Sequence, residues 1–198
     1  MKYYILLSLL LLGIFVNAQD NQGVIGIKGG LNLATFTGAE DVDFSRIISF
    51  NLGIMLETKL SESISLQPEI LLSAQGSKAS IDSQSADNRL YYLNLPILLK
   101  FYTSDRFSFD IGPQLGILIS AKQKSSSSSS TDNDIKTLFS DNDIGLITGI
   151  SYKFVSGINF SARYNFGLKN IINTNLYSNE NKLKNGVFQL SIGYYFKK

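Results

Sequence analysis

The feature that most constrains this chain is a repeated alternation of apolar and polar residues. After residue 23 the alternation recurs in eight stretches, and the polar gaps between the stretches are alternately long and short. A period of two is the pattern of β-strands whose two faces meet different surroundings. Strands of about 9–11 residues, joined by short turns and long loops in turn, are typical of bacterial outer-membrane barrels. The sequence therefore predicts an all-β fold, an eight-stranded antiparallel up-and-down transmembrane β-barrel.

The polarity of the two faces predicts which one meets lipid. One face of every stretch is rich in Leu, Ile, Phe and Tyr, whereas the other carries mainly Gly, Ser, Asn and Gln, with charges of both signs. A membrane barrel turns its apolar face outward and fills a narrow interior with the polar one. A soluble periplasmic barrel that binds a lipid inside would do the reverse, and it stays an alternative.

Aromatic residues on the apolar face fall at two heights, which predicts a girdle at each membrane interface. The girdle near the short turns comprises Phe101, Phe107, Tyr152, Phe154, Phe160, Tyr194 and Phe196, and the one near the long loops comprises Phe50, Tyr91, Tyr164, Phe166 and Phe188.

The N-terminus has the features of a secretory signal peptide. Lys2 precedes an apolar run over residues 5–16, and Val16-Asn17-Ala18 resembles a cleavage site. We therefore expect residues 1–18 to be removed and residues 19–198 to form one outer-membrane barrel domain. The chain contains no cysteine, which excludes disulfides and lipid attachment at the cleavage site. Charged residues make up only 17% of the chain, fewer than soluble domains carry, as a lipid-facing wall requires.

Three prolines fall inside the predicted strands, where each removes a backbone donor from the ladder. We expect local β-bulges at Pro68, Pro96 and Pro113.

The segments around these prolines resemble a known family. Residues 64–69 (ISLQPE), 92–100 (YLNLPILLK) and 112–116 (GPQLG), with the opening 26–32 (GIKGGLN), look like the outer-membrane β-barrel family named for PorT. The resemblance extends over the whole mature chain and implies an eight-stranded outer-membrane barrel. A role in protein secretion attaches to PorT itself, and no active-site motif comes with the resemblance.

Charged side chains on the inward face predict a polar network in the lumen. A charge in so narrow an interior must be paired or hydrated. A network that closes the lumen is favoured over a gated path for small ions, because a barrel of this size has an interior filled by side chains. The predicted members are Lys28, Glu57, Lys59, Glu69, Lys100, Asp110, Lys153 and Arg163.

The residue types favour neither catalysis nor a bound cofactor or metal. The chain has no histidine and no cysteine, which removes His- and Cys-based triads and the usual transition-metal sites. Glu57 and Glu69 are predicted diagonal neighbours, but pairing with lysine is favoured over an acid–base role. The repeats at residues 132–134 and 141–143 (DND) supply oxygen ligands for Ca²⁺, yet a solvated loop is favoured because neither continues into a calcium-binding loop.

These patterns predict a non-catalytic protein of the bacterial outer membrane with a structural or loop-mediated interaction role. A narrow channel, an accessory to protein secretion and a membrane enzyme are the alternatives. The expected partners are outer-membrane lipid, the barrel-assembly machinery during insertion, with Phe196 as its aromatic signal, and an unidentified protein at the loops. The formal net charge of +2 is too small to suggest nucleic acid. The loops are predicted over residues 36–49, 77–89, 120–143 and 169–185.

Overall fold

The computed structural model describes residues 23–38, 43–81, 84–125, 133–173 and 182–196. The predicted signal peptide and its cleavage site lie outside the described residues, as do Lys197, Lys198 and parts of the loops. The strands of the barrel are β1 Val24–Thr37, β2 Ile47–Lys59, β3 Ile64–Ile81, β4 Gln84–Tyr102, β5 Phe107–Ser125, β6 Asn142–Lys153, β7 Ile158–Gly167 and β8 Lys184–Tyr195.

The strands form a closed antiparallel barrel. Each pairs with its neighbours in the sequence, and β1 pairs with β8, from Gly26 opposite Tyr195 to Thr37 opposite Lys184. The predicted fold class is confirmed. By the rule for such barrels, the tight turns after β2, β4 and β6 mark the periplasmic end. None of the helical segments in the described ranges is long and apolar enough to cross a membrane.

The barrel exposes its apolar face and buries its polar one, as predicted for a membrane protein. On β1, Ile25 and Leu31 are each more than half exposed, whereas Lys28 and Asn32 are buried. The same division recurs on the other strands: every strand contributes at least one buried asparagine, glutamine or charged residue. This is the opposite of what a soluble barrel requires.

Aromatic rings on the outer face contact one another near both ends of the wall. At the periplasmic end the ring centroids of Tyr152 and Phe154 are 4.8 Å apart, and those of Tyr194 and Phe196 are 5.6 Å apart. Nearer the long loops, the rings of Tyr164 and Phe166 are 4.4 Å apart. Aromatic side chains thus lie at both predicted interface levels.

Three strands, β3, β4 and β5, extend well beyond their predicted ends at the long-loop side. The polar segment over residues 77–89 is not a loop: β3 runs to Ile81 and β4 begins at Gln84, so the two form a long hairpin. β5 likewise continues to Ser125. The upper parts of β3, β4 and β5 form a sheet that rises above the other strands, which we call the raised sheet. Two short strands pair with it, Asp43–Ser45 with β3 and Asn133–Asp134 with β5.

The prediction of bulges at the prolines is wrong. Pro68, Pro96 and Pro113 keep their strands in register, with Ile97, Gln114 and Leu146 as their respective partners. In an antiparallel strand the N–H and C=O of one residue point to the same neighbour, so proline weakens only one of its two ladders. The register shift between β4 and β5 lies instead beside Tyr91 and Tyr92.

An apolar cluster lies at the long-loop end of the barrel. Inward side chains near the ends of the strands pack there against side chains from the segments that follow β5 and β7. Those segments are tied together by the bridge between Phe139 and Ile172 and include a 3-10 helix, Lys136–Leu138. We call this the mouth cluster; its buried members are Phe36, Leu90, Tyr92, Leu118, Ala121, Ile135, Ile171 and Leu183.

Candidate functional site

Arg163 on β7 lies at the centre of the charged interior. Its Nη1 is 2.7 Å from Glu69 Oε1 on β3, and its Nη2 is 3.1 Å from Asp110 Oδ2 on β5. The Nε also donates to Asp110 Oδ2, at 3.3 Å. The side chains of all three residues are buried. A guanidinium with a rigid fork of donors is suited to holding two carboxylates from different strands.

Two buried lysines extend this group. Lys28 Nζ is 3.3 Å from Glu69 Oε2, and Lys100 Nζ is 4.0 Å from Asp110 Oδ1. Neighbouring polar side chains also donate to these carboxylates: Ser108 donates to Asp110 Oδ1, and Gln67 donates to Glu69 Oε1, the oxygen that Arg163 also contacts. The buried charges therefore lie within ion-pair distance of one another across the barrel, and among the described residues Lys100 Nζ makes no hydrogen bond.

A second ion pair lies at the periplasmic end. Glu57 accepts hydrogen bonds from Tyr102 at 2.6 Å and from Lys153 at 2.8 Å. The ammonium group of Lys153 also lies 4.4 Å from the centroid of the Tyr195 ring, a cation–π distance. Tyr195 in turn donates to Gln67, next to the central group. The two ion-paired groups thus form one connected set, which we call the lumen charge network.

All the predicted lumen residues except Lys59 belong to this network. Lys59 is exposed, because it is the last residue of β2 and lies at the periplasmic rim. Glu57 and Glu69 are diagonal neighbours, since Met55 is the residue opposite Glu69. Each carboxylate nevertheless faces its own cations, so the two do not form a shared acid–base pair.

The sequence reading missed a layer of uncharged hydrogen bonds on the loop side of the charges. Asn32 donates to Ser73 Oγ and to the Ala74 carbonyl, at 3.0 and 2.7 Å. Its own oxygen accepts from Asn51 at 2.7 Å and from Gln189 at 3.2 Å. The inward Asn and Gln on β1, β2 and β8 and the inward Ser73 on β3 are visible in the sequence, but only the closed register brings them to one height.

Further toward the long-loop end, buried polar atoms are left without protein partners. Among the described residues, neither amide atom of Asn94 has a hydrogen bond, and the same holds for Oε1 of Gln114 and Oδ1 of Asn165. Asp143 accepts from Asn185 at 2.8 Å through one oxygen only. Buried polar groups of this kind are usually satisfied by water, so this level has the chemistry of a hydrated space.

The described residues of the two Asp-Asn-Asp segments do not form one acidic site. Asp132 lies outside the described residues, and Asp134 accepts the backbone N–H of Lys136, which starts the 3-10 helix. Asp143 is buried in the barrel, whereas Asp141 is exposed. Within the described ranges, no three acidic side chains are grouped as a metal site would require.

The Glu57–Lys153 pair gives a first prediction. We expect Lys153→Gln to lower the free energy of unfolding by about 1–2 kcal/mol, because a charge-assisted hydrogen bond to a buried carboxylate is lost. Urea unfolding in detergent micelles measures this. The matched control is Lys59→Gln, a rim lysine outside the network, which we expect to change stability by less than about 0.5 kcal/mol. Equal losses in the two variants would contradict the role given to the pair.

Comparisons with known proteins agree with this architecture. A family model described as "Outer membrane protein beta-barrel domain" matches residues 17–173. The structure is similar to that of Neisserial surface protein A, with TM-score 0.56 and 13% identity over 87% of this chain and 97% of the other. It is also similar to Ail, the attachment invasion locus protein of Yersinia pestis, with TM-score 0.52 and 15% identity over 88% and 99%. At these identities the likeness supports the fold alone. A search of curated protein sequences finds no significant match.

Proposed function

Because the chain belongs to the outer membrane protein beta-barrel domain family, we propose that it is a non-conducting outer-membrane barrel that holds its loops at the cell surface. The observation that carries this proposal is the buried ion-paired set around Arg163, which joins β3, β5 and β7 across the lumen. Moving these groups aside for an ion would leave buried charges unpaired, at a cost of several kcal/mol each.

The mouth cluster supports the same function at the other end. Ile135, Ile171 and Leu183 come from segments outside the barrel strands, and they are buried against inward residues such as Leu90 and Tyr92. Apolar side chains in a pore present a barrier to ions because they cannot replace the water of hydration. The proposed closure thus has two unlike parts, one charged and one apolar.

The geometry of the carboxylates supports a non-catalytic role. Glu69 contacts both Arg163 and Lys28, and Glu57 contacts Lys153 and Tyr102. A carboxylate held by cations in this way stays ionised and is poorly suited to donate a proton.

Planar-bilayer recording tests the proposal. We expect the folded protein to insert without single-channel steps, under conditions in which a wide porin prepared in the same way conducts. Insertion is verified independently by the protection of the barrel from added protease. Steady steps from verified insertions would contradict a closed lumen.

A narrow channel is the second candidate, favoured by the unpaired polar atoms of Asn94, Gln114 and Asn165. The Lys100→Gln variant distinguishes conduction through this barrel from conduction through a contaminating porin, because Lys100 lies in the lumen charge network. If steps occur and pass through this barrel, the variant should change their preference for anions over cations. Steps of unchanged selectivity would point to a contaminant.

An accessory role in protein secretion is a further candidate, resting on the resemblance to the PorT family. The polar residues in the segments that carry the resemblance lie in the interior: Lys28, Gln67, Glu69, Asn94 and Gln114 are all buried. They support a shared way of building the barrel and do not by themselves define a partner. Cross-linking and purification from native membranes, with the loops as the expected contact, test for a secretion partner. We also propose that the barrel-assembly machinery inserts the protein and that residues 1–18 are removed as a signal peptide.

A further inference from the structure

A basic patch lies on the outer surface of the raised sheet, immediately above the apolar wall. Arg89 on β4 is opposite Lys122 on β5, and Asp87 is opposite Lys124. On the other side of β4, Lys78 is opposite Asp87. All four basic side chains are exposed. They surround Asp87, and Asp134 of the short strand beside β5 lies opposite Lys122, so the four basic side chains outnumber these two carboxylates.

The register shift between β4 and β5 is what turns this part of β5 outward. Below the shift the outward residues of β5 are odd-numbered and end at Ile119, which is 49% exposed. Above it Ala121 is buried, and Lys122 and Lys124 are exposed. Without the extra residue in β5 these two lysines would point into the mouth cluster. The members of that cluster are apolar and could not pair with two charges. The patch therefore depends on a specific backbone feature.

The patch has the form of a shallow anion site. Asp87, Arg89, Tyr91, Lys122 and Lys124 line a depression of about 220 Å³. Arg89 Nη2 is 3.5 Å from Asp87 Oδ2, an exposed contact that orients the guanidinium but leaves donors on its other edge. A phosphate is recognised by this combination of a guanidinium and flanking ammonium groups.

The position of the patch identifies the source of the anion. Tyr91 forms the lower wall of the depression and belongs to the predicted interface girdle, two residues below Arg89 on the same outward face. Two residues of a strand span about 7 Å, so the basic groups lie at headgroup height above the lipid-facing wall. We propose that the patch binds the phosphate groups of a phosphorylated glycolipid in the outer leaflet, whose acyl chains cover the wall below. This site is independent of the proposed closure of the lumen.

Native mass spectrometry of the full mature protein in detergent micelles tests the proposal, with diphosphorylated lipid A as the probe. We expect Lys122→Gln/Lys124→Gln to weaken the retention of lipid A by roughly 30-fold, from two lost cations near a membrane surface. The matched control removes two exposed basic residues at the periplasmic end, Lys59→Gln/Arg106→Gln, and should retain lipid A like the parent. Removal of both phosphates from lipid A should weaken its binding to the parent protein. The same removal should not weaken its binding to the Lys122→Gln/Lys124→Gln variant.

Each other result overturns the assignment. Equal losses in the two double variants would mean that total charge and not the patch governs binding. Retention that does not depend on the phosphates would mean that the wall alone binds the acyl chains. Specific binding of a soluble sulfated polysaccharide at the patch, with lipid A unaffected by the lysine changes, would identify the ligand as a surface polyanion instead of a lipid. Unheated gel mobility, which differs between folded and unfolded barrels, verifies that every variant is folded.

Discussion

Replacement of Arg163 by methionine should lower the free energy of unfolding by about 3–5 kcal/mol, the cost of leaving buried charges without their partner. The guanidinium is shared by Glu69 and Asp110, and both carboxylates are buried. Equilibrium unfolding in urea, with the folded fraction measured by unheated gel mobility, gives the value. The matched control is Arg106→Met, because Arg106 is exposed in the turn after β4 and should cost less than about 0.5 kcal/mol.

Two further variants separate the causes of this loss. Arg163→Lys keeps the positive charge but lacks the forked donors of the guanidinium. We therefore expect a smaller loss of unfolding free energy than with methionine. Arg163→Met combined with Glu69→Gln and Lys28→Gln removes one of the two carboxylates together with its lysine and leaves Asp110 beside Lys100, so no buried charge is orphaned and part of the lost stability should be recovered. A loss below about 1 kcal/mol for Arg163→Met would contradict the central position of this residue.

Replacement of Ile54 by arginine should cost about 2–4 kcal/mol, because it puts a charge on the lipid face near the middle of the bilayer. Ile54 is 51% exposed, and its neighbours across the sheet are Ile27 and Ile70. Leu60→Arg is the matched control: it is on the same face at the periplasmic rim, where the cost should be only about 0–1 kcal/mol. Unfolding from lipid vesicles measures both.

The difference between these two positions tests the orientation of the whole wall. In a soluble barrel Ile54 and Leu60 would both meet water or both be covered, and depth along the strand would not matter. Equal costs, or a gain in stability for Ile54→Arg, would therefore contradict a lipid-facing outer surface.

The barrel itself could be predicted because each strand carries its own signal. Apolar and polar residues alternate around Lys28 and Asn32, and this alternation recurs in every strand. It is enough to predict the number of strands, their pairing and the direction of each face. The upper halves of β3 and β4 carry no such signal. Above the membrane both faces of a strand can be polar, so residues 77–89 have the composition of a loop although they continue the hairpin.

The partners within the lumen could not be predicted because they depend on closure. Arg163 meets Glu69 and Asp110 from strands far apart in the sequence, and their relative heights follow from the summed registers around the barrel. The mouth cluster was missed for a different reason. Ile135 and Leu183 stand singly among polar residues and Ile171 stands only with Ile172, so no period marks them as part of a core.

The two short strands beside the raised sheet have a consequence for how neighbouring molecules meet in a crowded membrane. A sheet that projects beyond a closed barrel has two open edges, and unpaired backbone donors at an edge invite a strand from another chain. Asp43–Ser45 occupies the edge of β3 and Asn133–Asp134 that of β5. These short segments thereby oppose intermolecular strand addition at the two flanks, and adjacent copies would have to associate through side chains instead of by merging their sheets.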